Sequence, residues 1–148
     1  MSSSGHRHKG RAYALQVLYA RDIDDTRDAK AQVASYADEF ASELTPLELE
    51  SRHFAEALVI AATANAVAID AHIVAASKNW RLERMARVDR NILRLATCEL
   101  TAFLETPVRV VINEAVELAK QFGTAESAAF VNGVLDRVAL GVGRSADS

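Results

Sequence analysis

A chain of 148 residues, half of them hydrophobic and a quarter charged, has the composition of a soluble globular protein with ample core, built as one domain or as two small helical halves. No stretch reaches the ~18 apolar residues of a membrane span, the charged opening residues lack the apolar segment of a secretory signal, and the single cysteine, Cys98, excludes an internal disulfide and suits a reducing cytoplasm. The net charge of −3 argues against a nucleic-acid ligand until its distribution is read: residues 1–21 hold Arg7, Lys9, Arg11 and Arg21 with no acid, residues 22–56 hold ten acids against three bases, and the rest balances at ten of each.

Much alanine, two prolines and six glycines favour helix nearly everywhere. Residues 1–9 read as a flexible basic arm, and a first helix is expected from about Gly10 to Arg21 with Ala14, Leu15, Leu18 and Tyr19 on one side. A weaker helix is expected over 26–42. The next has the best start signal in the chain, Thr45 followed by Pro46 and Glu48, and its apolar spacing predicts one long helix to about Ser77. Lys78–Arg87 reads as a turn with a short helix. Val88–Leu104 is helical, with Ile92, Leu93, Ala96, Leu100 and Phe103 apolar. The helix after Pro107 has Val108, Val111, Ile112, Ala115, Leu118, Ala119 and Phe122 on its core face and is expected to end at Gly123 through a positive φ. Thr124 is expected to cap the last helix, whose apolar positions run from Phe130 to Leu140, and 142–148 to form a flexible tail. No useful length alternates with period two, so the fold class is all-α, about seven helices in one domain over 10–141.

The motifs of chemistry are missing. The chain holds no nucleophile elbow, phosphate-cradling glycine loop or dinucleotide fingerprint. Its carboxylates fit exposed helix faces, caps or surface pairs such as Glu117–Lys120. His53 and His72 lie too far apart along one helix to share an ion, and Cys98, in an apolar stretch, reads as a buried inert thiol. No catalytic residue, metal or cofactor is therefore expected. Two basic clusters remain. Arg7, Lys9 and Arg11 lead into a helix carrying Gln16 and Tyr19, and cations beside such side chains attract phosphate and bond to or stack on bases. A solubilising tail is the plainer reading of the same residues. Lys78, Arg81, Arg84, Arg87, Arg90 and Arg94, interleaved with Trp80, Glu83 and Asp89, form either a solvated turn paired with the acidic stretch or a binding surface. Phe130 sits at core spacing. Asn132–Gly133 inside a helix suggests close approach of another helix or a ligand.

Six segments carry a resemblance: Arg11–Tyr19 (RAYALQVLY), Asn79–Met85 (NWRLERM), Val88–Ala96 (VDRNILRLA), Glu99–Leu100, Val111–Lys120 (VINEAVELAK) and Phe130–Asp136 (FVNGVLD). In this order they resemble the NusB family of bacterial transcription antitermination factors, and they cover most of the chain. The resemblance implies an all-helical fold of two perpendicular three-helix units. It implies binding to the single-stranded boxA element of ribosomal RNA transcripts, a partnership with NusE, the small-subunit ribosomal protein, and a place in the RNA polymerase antitermination complex. By position, Arg7, Lys9, Arg11 and Tyr19 match the family's basic RNA site, and Phe122, Glu126 and Phe130 its second RNA-facing region. Asp89 matches the carboxylate placed against NusE, with Arg84 and Arg87 as neighbouring partner contacts. The chain departs from its relatives at His6, His8 and Gly10, where they carry a denser arginine run, and at Ala129, where some have lysine. Both changes remove phosphate contacts and imply weak RNA binding without the partner. The alternative is a helical protein-interaction scaffold that binds no RNA.

Overall fold

A computed structural model describes residues 3–23, 46–78 and 80–144. Within them the chain forms six α-helices and no strand: α1 (Ser3–Ile23), α2 (Pro46–Ala64), α3 (Ala66–Ala76), α4 (Arg87–Ala102), α5 (Val108–Phe122) and α6 (Ser127–Gly141), with a 3₁₀ turn at Leu82–Arg84. The helix expected over 26–42 and the Thr45 cap lie outside the described residues. The contacts divide the chain into two compact units, Met1–Ala64 and Asn65–Ser148.

In the first unit α1 packs on α2. Ala14, Leu15, Val17 and Leu18 meet the stripe Ala55, Leu58, Val59 and Ala62, spaced by three and four residues as a buried helix face requires. Contact is closest at Gly10, where a Cβ would stand 2.8 Å from the Ser51 carbonyl oxygen and 2.9 Å from Phe54 Cδ2. Gly10 is therefore interior helix and not a helix start. α1 begins at Ser3, inside the stretch read as an arm, since no proline or glycine pair interrupts residues 3–10.

The long helix expected to reach Ser77 is two helices. Asn65, at φ −109° and ψ 19°, leaves the helical region between Ala64 and Ala66. Asparagine competes for backbone hydrogen bonds and is a weak point in any helix interior. The apolar spacing runs through it, which is why periodicity alone joins the pieces.

The second unit is organised around α4, against which α3, α5 and α6 pack. Nine of its residues, Asn91–Leu93 and Leu95–Leu100, are buried. A helix covered on so many sides keeps no fully solvated face, so Glu99, expected on an exposed surface, is 1% exposed. Each Leu or Ile enclosed here contributes about 1.5–3 kcal/mol over leaving it in water. Polar links complete the unit. Arg94 donates from Nε and Nη2 to both carboxylate oxygens of Asp70 at 2.9 and 3.1 Å, joining α4 to α3. Arg137 Nε donates to the Ala76 carbonyl at 2.6 Å, at the carbonyl end of α3. Arg144 lies in the stretch read as a flexible tail, yet donates to the carbonyls of Leu100, Leu104 and Thr106.

Two helix-end expectations change. Gly123 ends α5 in extended backbone, at φ −99° and ψ −163°. A Cβ there would meet Ser127 Oγ at 2.5 Å and the Ala119 carbonyl oxygen at 2.8 Å, so close approach, not a left-handed turn, calls for glycine. Thr124 caps no amide of α6 with its hydroxyl. Its own N–H donates to Ser127 Oγ at 2.9 Å, so Ser127 takes the returning half of a capping box. At Gly133 nothing lies closer to a Cβ than Arg137 Nη1 at 3.8 Å, so the close approach inferred there is not found.

Candidate functional site

The N-terminal cluster divides between two faces of α1. At ~100° per residue, Lys9 and Gln16 fall in one stripe with Tyr19 beside it, and Arg7 and Arg11 fall on the opposite side. Lys9 and Gln16 are exposed, and Tyr19 is 37% exposed. Arg11 is 2% exposed. Its guanidinium carbon lies 5.3 Å from the centre of the Phe54 ring, and that of Arg7 lies 4.9 Å from the same ring. Such stacking contributes about 0.5–2 kcal/mol, more as water is excluded. Arg11 is thus an internal cation of the first unit rather than a phosphate contact. Arg7 is half-buried and holds both positions. Tyr19, expected on the apolar side, is among the exposed large side chains.

In the second unit two segments read separately come together. Trp80, from the basic turn, meets Phe130 of α6 edge to face, with ring centres 5.9 Å apart and planes at 72°. This geometry suits aromatic quadrupoles and leaves ring surface open. The pair borders a groove of about 240 Å³ lined also by Arg84, Met85, Ala86, Asp89 and Glu126. Phe130 is half-buried, so it is neither plain core nor free surface. Asp89 lies in the first turn of α4, and its Oδ1 is buried without a hydrogen-bond partner. An acceptor in that state is costly unless a donor arrives from outside. Glu126 is exposed and accepts from the Thr124 hydroxyl at 3.2 Å. Phe122, 37% exposed at the end of α5, lies outside the groove lining. Arg87 is exposed at the start of α4 and is likewise not part of the lining.

The basic turn is not one patch. Arg94 pairs with Asp70, and Arg90 Nη1 donates to the Leu82 carbonyl at 3.4 Å. Lys78, Arg81, Arg84 and Arg87 are exposed. Trp80, 54% exposed, lines the groove, and the sequence reading names it only as one of the residues interleaved in the basic turn. The signal was present, since the chain's one tryptophan stands in a charged turn where no helical spacing demands a core residue.

The remaining chemistry is inert. Cys98 is fully buried, and burial, assisted by neighbouring Glu99, pushes its thiol from the ordinary 9.0 to about 12. His53 is exposed and His72 half-exposed. Glu117 and Lys120 form the surface pair read from their spacing, at 3.5 Å and in water, where such pairs contribute little. Among the described residues no single helix is long and apolar enough to cross a membrane.

Comparison with known proteins covers the same ground. The model of the NusB family matches residues 8–140. A relative from Sorangium cellulosum, described as transcription antitermination protein NusB, is 48% identical over 95% of this chain and 96% of its own length. One of the same description from Anaeromyxobacter dehalogenans is 45% identical over 94% of each. Among solved structures, T. maritima NusB superposes with a TM-score of 0.80 at 33% identity over 90% of both chains. A chain from a structure of antitermination factors NusB and NusE in complex with dsRNA gives 0.76 at 28% identity, over 92% of this chain and 97% of that one. With the match spanning most of α1, the Trp80–Phe130 groove and nearly all of α6, the chain belongs to the NusB family.

Proposed function

We propose that this protein is a non-catalytic transcription antitermination factor of the cytoplasm that binds boxA-type single-stranded RNA of ribosomal transcripts together with NusE, and so promotes read-through by RNA polymerase. The observation that carries this reading is the exposed stripe of Lys9, Gln16 and Tyr19 on α1 of a chain that matches the family over residues 8–140. Lys9 and the half-exposed Arg7 neutralise phosphates. Gln16 bonds to base or sugar edges, and Tyr19 offers a ring to an unstacked base. Phe130, Phe122 and Glu126 form the second RNA region, and Trp80 extends its ring surface. Asp89, with its unsatisfied oxygen, is suited to a donor from NusE, and the exposed cations Arg84 and Arg87 flank it.

Burial of Arg11 lowers the number of phosphates that the first unit can neutralise from three to two. At roughly −0.7 per phosphate for a single strand, this contact gives a slope of log K against log salt of about −1.4. The test is a titration of labelled boxA RNA, and of a scrambled sequence, with and without NusE. Tighter binding of boxA with NusE present is expected, and Tyr19→Ala should weaken it by about 1–3 kcal/mol, the worth of one stacked base. If the complex with NusE ignores RNA at low salt, the RNA reading fails. Binding of NusE with no RNA affinity would leave the protein-interaction scaffold.

A further inference from the structure

The Asn65–Ser148 unit carries a second groove that the RNA reading does not use. It lies between α3 and α6, has a volume of about 310 Å³, and is floored by Ala75, Val138 and Leu140. Its charged rim is His72, Lys78 and Arg137, and no acidic side chain lines it. Leu140 is 70% exposed, and on the adjoining face of α3 Val67 is 88% and Val74 53% exposed. On α3 the exposed positions from Ala66 to Ala75 are all alanine or valine, where a surface helix ordinarily turns polar residues to water, and the one carboxylate of the stretch, Asp70, has a side chain 30% exposed and engaged by Arg94. Arg137 uses its Nε on the Ala76 carbonyl, which holds the guanidinium at the groove edge. Gly141 presents bare backbone with nothing within 4 Å.

We propose that this groove docks an acidic amphipathic helix of a protein partner, its apolar side chains on Leu140 and Ala75 and its carboxylates on Lys78 and Arg137. The charge complement is specific: three basic or protonatable groups around an apolar floor select carboxylates set between aliphatic anchors. Arginine in a fixed orientation suits bidentate pairing with a carboxylate. RNA fits less well, because no aromatic ring lines the groove to receive a base. None of the residues lining this groove is among those the RNA reading uses, so this inference stands or falls apart from that reading.

The test uses the full isotope-labelled chain and a synthetic helical peptide with leucines along one face and glutamates along the other. A peptide with lysines for the glutamates and a short single-stranded RNA are the comparison arms. Amide shifts confined to α3 and α6 around Ala75 and Leu140 are expected from the acidic peptide alone. Leu140→Glu and Lys78→Glu should each weaken its binding by about tenfold or more, as burying an unpaired or repelled charge requires. Both side chains are exposed, so both variants fold, and an unchanged thermal melt verifies this. RNA binding by Leu140→Glu should stay at the parent level. Equal binding of the lysine peptide, shifts placed elsewhere, displacement by RNA, or no binding of the acidic peptide overturns the proposal. Concentration-dependent self-association that Leu140→Glu abolishes also overturns it, by assigning the groove to a second copy of the chain.

Discussion

Two glycines inside helices should respond to alanine with opposite signs. Gly10 is in the third turn of α1 and Gly133 in the second turn of α6. By helix propensity alone, each Gly→Ala change gains about 0.8–1 kcal/mol. At Gly133 the new methyl group meets nothing nearer than Arg137 Nη1 at 3.8 Å, an ordinary contact, so the gain survives. At Gly10 it would stand 2.8 Å from the Ser51 carbonyl oxygen and 2.9 Å from Phe54 Cδ2, against an optimum of about 3.5–4.0 Å between carbons. The carbonyl belongs to the α2 backbone and cannot rotate away. Phe54 carries Arg7 and Arg11 over its ring, so moving it disturbs both cations. Overpacking of this kind costs about 1–3 kcal/mol, which cancels the propensity gain and leaves Gly10→Ala up to about 2 kcal/mol below the parent. At about 2–4 °C per kcal/mol for a chain of this size, Gly133→Ala should melt a few degrees higher and Gly10→Ala up to several degrees lower. Urea midpoints with unchanged m-values check that the shift is one of stability. A Gly10→Ala protein as stable as Gly133→Ala would refute the close α1–α2 approach and the packing argument built on it.

The two faces of α1 predict a division of labour. Lys9→Ala should reduce the salt slope of RNA binding by about 0.7 at constant stability, whereas Arg11→Ala should lower the melting temperature, with at least about 1 kcal/mol lost from cation–π packing alone; equal salt slopes in the two variants would return Arg11 to the RNA surface. Arg144→Ala removes charge-assisted donation to three carbonyls and should destabilise the second unit by about 1–3 kcal/mol, with amide exchange rising first over residues 103–106. The Cys98 thiol, held near 12 when folded against 9.0 when free, keeps its proton in the folded state. Its contribution to stability is complete below about pH 9 and is lost as pH rises toward 12. At pH 8 the folded protein should resist thiol alkylation that the urea-unfolded chain accepts at once, and fast labelling of the folded chain would contradict the burial.

Helix content, the core stripes of α1, α4, α5 and α6, the absence of catalytic motifs and the family were all legible in the residues, because helical periodicity and short motifs are local properties. The expected positions Ala14, Leu15, Leu18, Ile92, Leu93, Leu100, Val111, Ile112, Leu118, Val134 and Leu135 are all buried. What a pattern cannot carry is which face of a helix meets a neighbour and how closely. Arg7, Lys9 and Arg11 read as one cationic cluster, and only packing against Phe54 takes Arg11 to the inner face and leaves Arg7 half-exposed. Gly133 looked like a contact glycine and Gly10 like a helix start, and the distances to neighbouring atoms reverse both. Glu99 is buried because α4 happens to be surrounded, a fact about three other helices. Trp80 and Phe130 lie far apart in sequence, and their groove, with Asp89 inside it, exists only once the turn before α4 folds against α6. Sequence thus determined what each segment becomes, since that depends on near neighbours along the chain, while the functional surface was decided by contacts between distant segments, which no local pattern encodes.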